Sequence, residues 1–235
     1  MAQLREFKKQ QTRQTIAHAA TDLFLRNGFE GTTIADVADA AGVSKMTVTN
    51  YFPRKEDLFF DMHEEVITGP ARAVAARPVG DSALDAVRRD YLQAVQRQDA
   101  LLGWTRPAFT RLIDQSPVLR ARLREMFEHQ EQALSVVLAE ATGEQADCFE
   151  PRHAAAQLST VLRLLFGEAQ RRVRSGDTKD ELFAALDRTA VAAFARLEPS
   201  LAGYAVRQVP ADQKEPGEPG DFEDGPAAGP EEGER

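Results

Sequence analysis

Residues 32–52, TTIADVADAAGVSKMTVTNYF, decide how the rest of the chain is read. Thr33 stands where a helix N-cap belongs, and Asp36 three residues on completes a capping-box pattern. Ile34, Val37 and Ala38 then share one face of a short helix over about 34–41. Gly42 permits a tight turn, because a left-handed backbone brings no Cβ clash there, and Val43 plugs the corner. Ser44 caps a second short helix over about 45–52, with Val48 and Phe52 inward and Pro53 as its stop. Two short helices joined by a glycine turn make a helix-turn-helix. The outer face of the second presents Lys45, Met46, Thr47, Thr49, Asn50 and Tyr51. These side chains are mostly small or polar, and their donors and acceptors suit base edges and phosphates. Arg54 and Lys55 add two positive charges beside the same surface. A purely structural helical corner would share the turn pattern, so the function rests on the outer face and on what flanks it.

Working outward, a first helix is predicted over about 9–27, with Ile16, Ala20, Leu23 and Phe24 on one face and Gly28 at its C-cap. A longer helix is expected from Lys55 to about Arg77, bent near Gly69-Pro70. Further helices are predicted at about 82–101, 105–114, 118–141, 152–175 and 179–197, punctuated by Gly103, Pro117, Gly143, Pro151, Gly176 and Pro199. No stretch alternates as a strand does. The fold class is all-α, about nine helices: an N-terminal three-helix bundle with the helix-turn-helix, then a larger helical domain. The expected division is 1–54 for nucleic-acid binding, 55–209 for effector binding and dimerisation, and 210–235 as a disordered acidic tail.

Composition narrows the classes. Among 235 residues there is one Cys, Cys148, so neither a disulfide framework nor a cysteine-rich zinc site is available. His18, His63, His129 and His153 make no HxxxH pair, so no metal site is expected. No nucleophile elbow, phosphate-cradling glycine loop or dinucleotide fingerprint occurs; no catalytic residues, no cofactor and no enzyme activity are expected. No leader and no apolar run long enough to span a bilayer is visible, so a cytoplasmic protein without membrane association is expected. The net charge of −8 misleads as a whole. Residues 210–235 hold nine acidic against two basic side chains, with five Pro and five Gly, and the remainder is close to neutral. A local basic patch for an anionic partner is therefore compatible with the total. Arg5, Lys8, Lys9 and Arg13 fit a groove or phosphate arm and equally a solvated helix start.

The combined pattern resembles the TetR family of bacterial transcriptional regulators. It is carried by Ala20, Leu23, Phe24, Gly28, Phe29, Thr32, Thr33, Ile34, Val37, Ala38, the run Ala41 to Lys45, Thr47, the run Tyr51 to Pro53 and the run Lys55 to Leu58. The resemblance covers roughly residues 10–60. It implies phosphate contacts from Thr33, Ser44, Tyr51 and Lys55, and base or groove contacts from Lys45, Met46, Thr47, Thr49 and Asn50. The family often carries Gly at the position of Met46 and an aromatic at that of Thr49, so base reading here departs from the common pattern. The implied partners are double-stranded DNA bearing a palindromic operator, a second copy of the chain and a small-molecule effector. The implied function is a sequence-specific regulator, a repressor released by its effector; the alternative is an activator or global DNA binder with no effector.

Two helices carry more apolar face than one core needs. In the helix over 152–175, Leu158, Val161, Leu162, Leu165, Phe166 and Ala169 form one stripe, and Ala156, Thr160, Leu164 and Gly167 a second. The last helix shows Leu182, Ala185, Leu186, Thr189, Ala193, Phe194 and Leu197. Dimerisation through this pair is expected. A pocket for a hydrophobic effector is placed among Met62, Val66, Trp104, Phe109, Ile113, Phe127, Gln130 and Leu134, residues that ordinary core packing would also explain. Arg163, one position off both stripes, fits a solvated flank better than a buried anion anchor.

Overall fold

The computed structural model describes residues 2–208, which include the helix-turn-helix and the whole helical region after it. The expected tail over 210–235 lies outside the described residues. Eleven α-helices and one 3₁₀ turn occur among those described. They are α1 (Ala2–Asn27), α2 (Ile34–Ala41), α3 (Lys45–Tyr51), α4 (Lys55–Phe59), α5 (His63–Ala75), α6 (Ala83–Gln96), α7 (Pro107–Gln115), α8 (Pro117–Thr142), α9 (Phe149–Ser175), α10 (Lys179–Ala195) and α11 (Glu198–Leu201). The 3₁₀ turn is Ala100–Leu102. Among the described residues no helix is long and apolar enough to cross a membrane.

Two apolar cores organise the molecule. The first gathers Ile16, Ala20 and Phe24 of α1, Val37 and Ala38 of α2, and Val48 and Phe52 around α3. It does not stop at the end of the helix-turn-helix. Leu58 and Phe59 of α4 enter it, and so do Ile113 of α7 and Leu119 of α8. Phe59 lies at the crossing, with ring centroids 5.9 Å from Phe24 and 4.5 Å from Phe109. The second core is built by α5, α6, α8, α9 and α10, with Leu84, Leu134, Leu158, Leu182 and Phe194 fully buried.

Several boundaries differ from expectation. α1 begins seven residues early, at Ala2, since nothing between there and Lys9 breaks a helix. The long helix expected over 55–77 is two, α4 and α5, separated at Phe60 to Met62. At the break the Asp61 carbonyl finds a side-chain partner. The Arg13 guanidinium donates to the carbonyl of Asp61 at 2.7 Å and to that of Tyr51, the last residue of α3, at 3.2 Å. Arg13 also lies 4.4 Å over the Phe52 ring. It is thus a clamp inside the N-terminal unit, and the expectation that it forms part of a free basic arm is corrected. Pro70, where a bend was expected, sits inside α5 without ending it. Pro151 likewise opens rather than precedes α9, in the first turn where its missing N–H costs nothing.

A charged chain ties α4 to α8. Asp57 and Arg122 are both buried and pair at 2.7 Å. Asp57 also accepts from the Arg54 backbone N–H at 3.3 Å. Arg122 reaches Glu125 at 3.1 Å, and Glu125 takes both its oxygens to the Arg54 guanidinium at 2.9 and 2.7 Å. These bonds hold the Glu125 carboxyl below its usual range, the Arg54 hydrogen bond being the largest cause.

Candidate nucleic-acid interface

The sequence of α2 and α3 explains their rigidity. Thr33 accepts from the Asp36 N–H at 3.2 Å, and Asp36 returns an oxygen to the Thr33 N–H at 2.8 Å, the reciprocal cap read from the sequence. The same carboxylate takes the Thr33 hydroxyl at 2.8 Å, and these bonds pull its pKa down. Gly42 ends α2 with φ 67°, the left-handed region a glycine favours. Ser44 then caps α3, its Oγ accepting from the Thr47 N–H at 3.0 Å and lying 2.9 Å from the Thr47 hydroxyl. Val48 and Phe52 are completely buried, which fixes the rotation of α3 about its axis.

That rotation turns the opposite face to solvent. Lys45, Thr49 and Asn50 are exposed, and Met46 is 71% exposed, an unusual state for so apolar a side chain. Thr47 and Tyr51 are half-buried at the flanks of that face. The Thr49 hydroxyl turns back to the carbonyls of Lys45 and Met46, at 3.2 and 3.1 Å. Lys55 is also half-buried, its ammonium 4.3 Å above the Phe29 ring. The Thr33 hydroxyl proton is spent on Asp36, and the Ser44 and Thr47 hydroxyls share one hydrogen bond, which leaves one proton of that pair free to donate. On α1, Arg5, Lys8 and Lys9 are exposed beside the equally exposed Phe7.

In the larger region two adjoining cavities open, one between α5, α6, α8 and α9 and the other between the α4–α5 break, α7, α8 and α9. One, of about 410 Å³, is lined by Val66, Phe127 and Gln130 of the expected set. The other, of about 230 Å³, is lined by Met62, Val66, Trp104, Phe109 and Ile113. Leu134 lines neither; it is fully buried in the second core, where α8 packs against α5 and α9. Val66, Leu101 and Phe166 are common to both cavities. Sequence reasoning missed Tyr91, Leu101 and Gln170 as lining residues. For Gln170 a signal existed, a polar residue one turn beyond the Leu158–Phe166 stripe. Asp90 also lines the larger cavity, and burial raises its carboxyl pKa against the opposing pull of Arg97 and Arg72. Arg163 is exposed and takes no anchoring position. Among the described residues no cluster of His, Cys, Asp and Glu could hold a metal ion.

On α9, Leu158, Leu162, Leu165 and Ala169 are buried, while Thr160, Leu164 and Gly167 of the second stripe face outward, Leu164 at 59% exposure. On α10, Leu182, Leu186 and Phe194 are buried and Val191 is 52% exposed.

A capped, rigidly oriented helix that offers its polar face to solvent, carried ahead of a larger helical body, defines a DNA-binding transcriptional regulator. Residues 16–62 match the family model described as bacterial regulatory proteins, tetR family. The HTH-type transcriptional regulator TcmR of Streptomyces glaucescens is 29% identical over 171 residues, covering 70% of this chain and 76% of that protein. The HTH-type transcriptional repressor AcnR of Corynebacterium diphtheriae is 31% identical over 118 residues, covering 50% and 57%. Among solved structures, native NalD, the secondary repressor of the MexAB-OprM multidrug efflux pump in Pseudomonas aeruginosa, aligns with a TM-score of 0.51 at 22% identity. That alignment covers 83% of this chain and 98% of NalD and speaks to the fold. Residues 16–62 thus resemble the tetR family of bacterial regulatory proteins, and the relatives that align over half of the chain or more are named transcriptional regulators.

Proposed function

We propose that this chain is a homodimeric repressor that places α3 of each subunit in successive major grooves of a palindromic operator and leaves it when a small molecule fills the helical body. Residues 1–54 would carry the DNA contacts, and 55–209 the effector site and dimer interface. Lys45, Met46, Thr47, Thr49 and Asn50 would meet base edges and groove walls. Thr33, Ser44, Tyr51 and Lys55 would meet phosphates, Thr33 through its place at the start of α2 rather than through its committed hydroxyl. The observation that carries this is the exposed face of α3, held in one orientation by Val48, Phe52 and the Ser44 cap. An exposed Met46 with no apolar partner suits a thymine methyl.

A dimer is supported by the outward second stripe of α9, Leu164 above all, and by the exposed Val191 of α10; the α10 residues Leu182, Ala185, Leu186 and Phe194 belong instead to the core of the single chain. A two-fold pair would set the two recognition helices about one helical turn, ~34 Å, apart. Effector release is supported by the cavities beside α5, which α4 and its Arg122 and Glu125 ties connect to the helix-turn-helix. A coupling of roughly 1–3 kcal/mol between the two sites would suffice for regulation.

The test is selection of genomic fragments by the purified protein, followed by footprinting of the retained DNA. Two protected half-sites one turn apart are expected, and their loss in Lys45→Ala with Asn50→Ala. Retention of DNA without any protected tract would overturn the sequence-specific reading.

A further inference from the structure

The two cavities share an uncommon feature: each is lined by a buried glutamine whose amide nitrogen is anchored to a backbone carbonyl. Gln130 donates its Nε2 to the Val66 carbonyl at 2.5 Å, and Gln170 donates its Nε2 to the Gly103 carbonyl at 2.9 Å. A carbonyl can only accept, so the amide orientation is fixed in both. The Oε1 atoms of both glutamines are buried and have no hydrogen-bond partner. The Tyr91 hydroxyl, lining the same cavity as Gln130, is buried and unpartnered too. Burial raises the pKa of that phenol, which keeps it protonated. Unpartnered buried polar atoms are expensive and rare. Here three of them line one pair of adjoining cavities that share Val66, Leu101 and Phe166, the larger one also bordered by Glu65, Arg72, Asp90, Arg97 and Asp99.

We infer that the effector site accepts a hydroxyl-bearing aromatic molecule, whose hydroxyl groups donate hydrogen bonds to Gln130 Oε1 and Gln170 Oε1. This rests on the effector reading above and adds its chemistry. A carboxylate can take the Tyr91 proton but sets its oxygens against both glutamine oxygens. An ammonium would satisfy the glutamines but leave the Tyr91 proton without a receiver. A hydroxyl both donates to Gln130 and accepts from Tyr91, and a flat ring packs against the edge-to-face pair Phe127 and Phe166.

The experiment is calorimetric titration of the full chain with 1-naphthol, 1-methoxynaphthalene and 1-naphthoate. Naphthol is expected to bind at least tenfold tighter than the ether, which has the same ring but no donor, and tighter still than the carboxylate. Tyr91→Phe, which keeps the Gln130 tie to α5 and removes a hydroxyl with no partner, is expected to shrink the naphthol-to-ether ratio several-fold, with an unchanged thermal midpoint confirming the fold. Equal binding of naphthol and ether, preference for naphthoate, or no binding of any probe overturns the inference. The effector reading is scored separately, by whether a bound probe changes operator affinity. A donor preference without DNA release would sink that reading and leave this one standing.

Discussion

The carbonyl of Val66 accepts the side-chain amide of Gln130 because Pro70, four residues further along α5, has no N–H to offer it. A proline in a helix interior ordinarily kinks it; here α8 supplies the missing donor across the helix interface. The bond joins the α5 wall of the larger cavity to the α8 wall, and both residues line it.

Removing the donor should therefore be felt in α5. Gln130→Leu is expected to destabilise the chain by about 1–2 kcal/mol through the orphaned carbonyl. Pro70→Ala, which restores the helical donor, should recover part of that loss in the double variant. Denaturant unfolding of the four proteins measures the cycle. Strictly additive effects would mean that the two residues do not serve the same carbonyl.

The buried pair Asp57–Arg122 predicts a larger effect. Arg122→Met leaves Asp57 buried and unpaired, with an expected loss of roughly 3–5 kcal/mol. Asp57→Asn combined with Arg122→Met should recover much of it. Because the pair joins α4 to α8, the single variant should also weaken any response of operator affinity to an effector. Urea midpoints and fluorescence anisotropy on operator DNA would report the two effects.

Glu125 makes part of this tie dependent on pH. Its folded pKa is depressed, so its contribution is complete above the ordinary carboxylate value near 4.3 and fades as pH falls through the lower folded value. The stability of wild type over that of Glu125→Gln should hold steady near neutrality and narrow below about pH 4.5. A gap that widened with acid would contradict the assignment.

Caps hold the reading helix in place. Thr33→Ala and Ser44→Ala are each expected to cost about 1 kcal/mol of stability. Ser44→Ala should weaken operator binding beyond that, since it frays the start of α3. Thermal melts together with anisotropy titrations separate the two effects.

On DNA, side chains on and beside the outer face of α3 should sort by what they meet. Lys55→Ala, at a proposed phosphate contact beside α3, is expected to weaken binding to all sequences and lower the salt slope by about 1. Met46→Ala should instead alter preference at a single base position, by roughly 1–3 kcal/mol. Selection from a randomised operator distinguishes them.

The helix-turn-helix was legible in the sequence because its signals are local. Thr33 with Asp36, Gly42 and Ser44 act within four residues of themselves, and each cap and turn is found where read. The alternation of Val37, Ala38, Val48 and Phe52 fixed which face of α3 looks outward. The Arg13 clamp was not legible, since it reaches carbonyls 38 and 48 residues away and its charge invited a DNA role. Arg122 did leave a trace, a charge on the buried face of α8 between Leu119 and Met126.

By itself, then, the chain determined an all-α fold, its short-range caps and the exposed reading surface, all consequences of helical period and neighbouring side chains. Only the tertiary structure decided that α4 and α5 part at Phe60, that Pro70 is tolerated, and which glutamines line the cavities with an acceptor to spare. Those outcomes depend on which carbonyls and carboxylates distant helices bring within 3 Å of one another, and no periodicity along a chain encodes that.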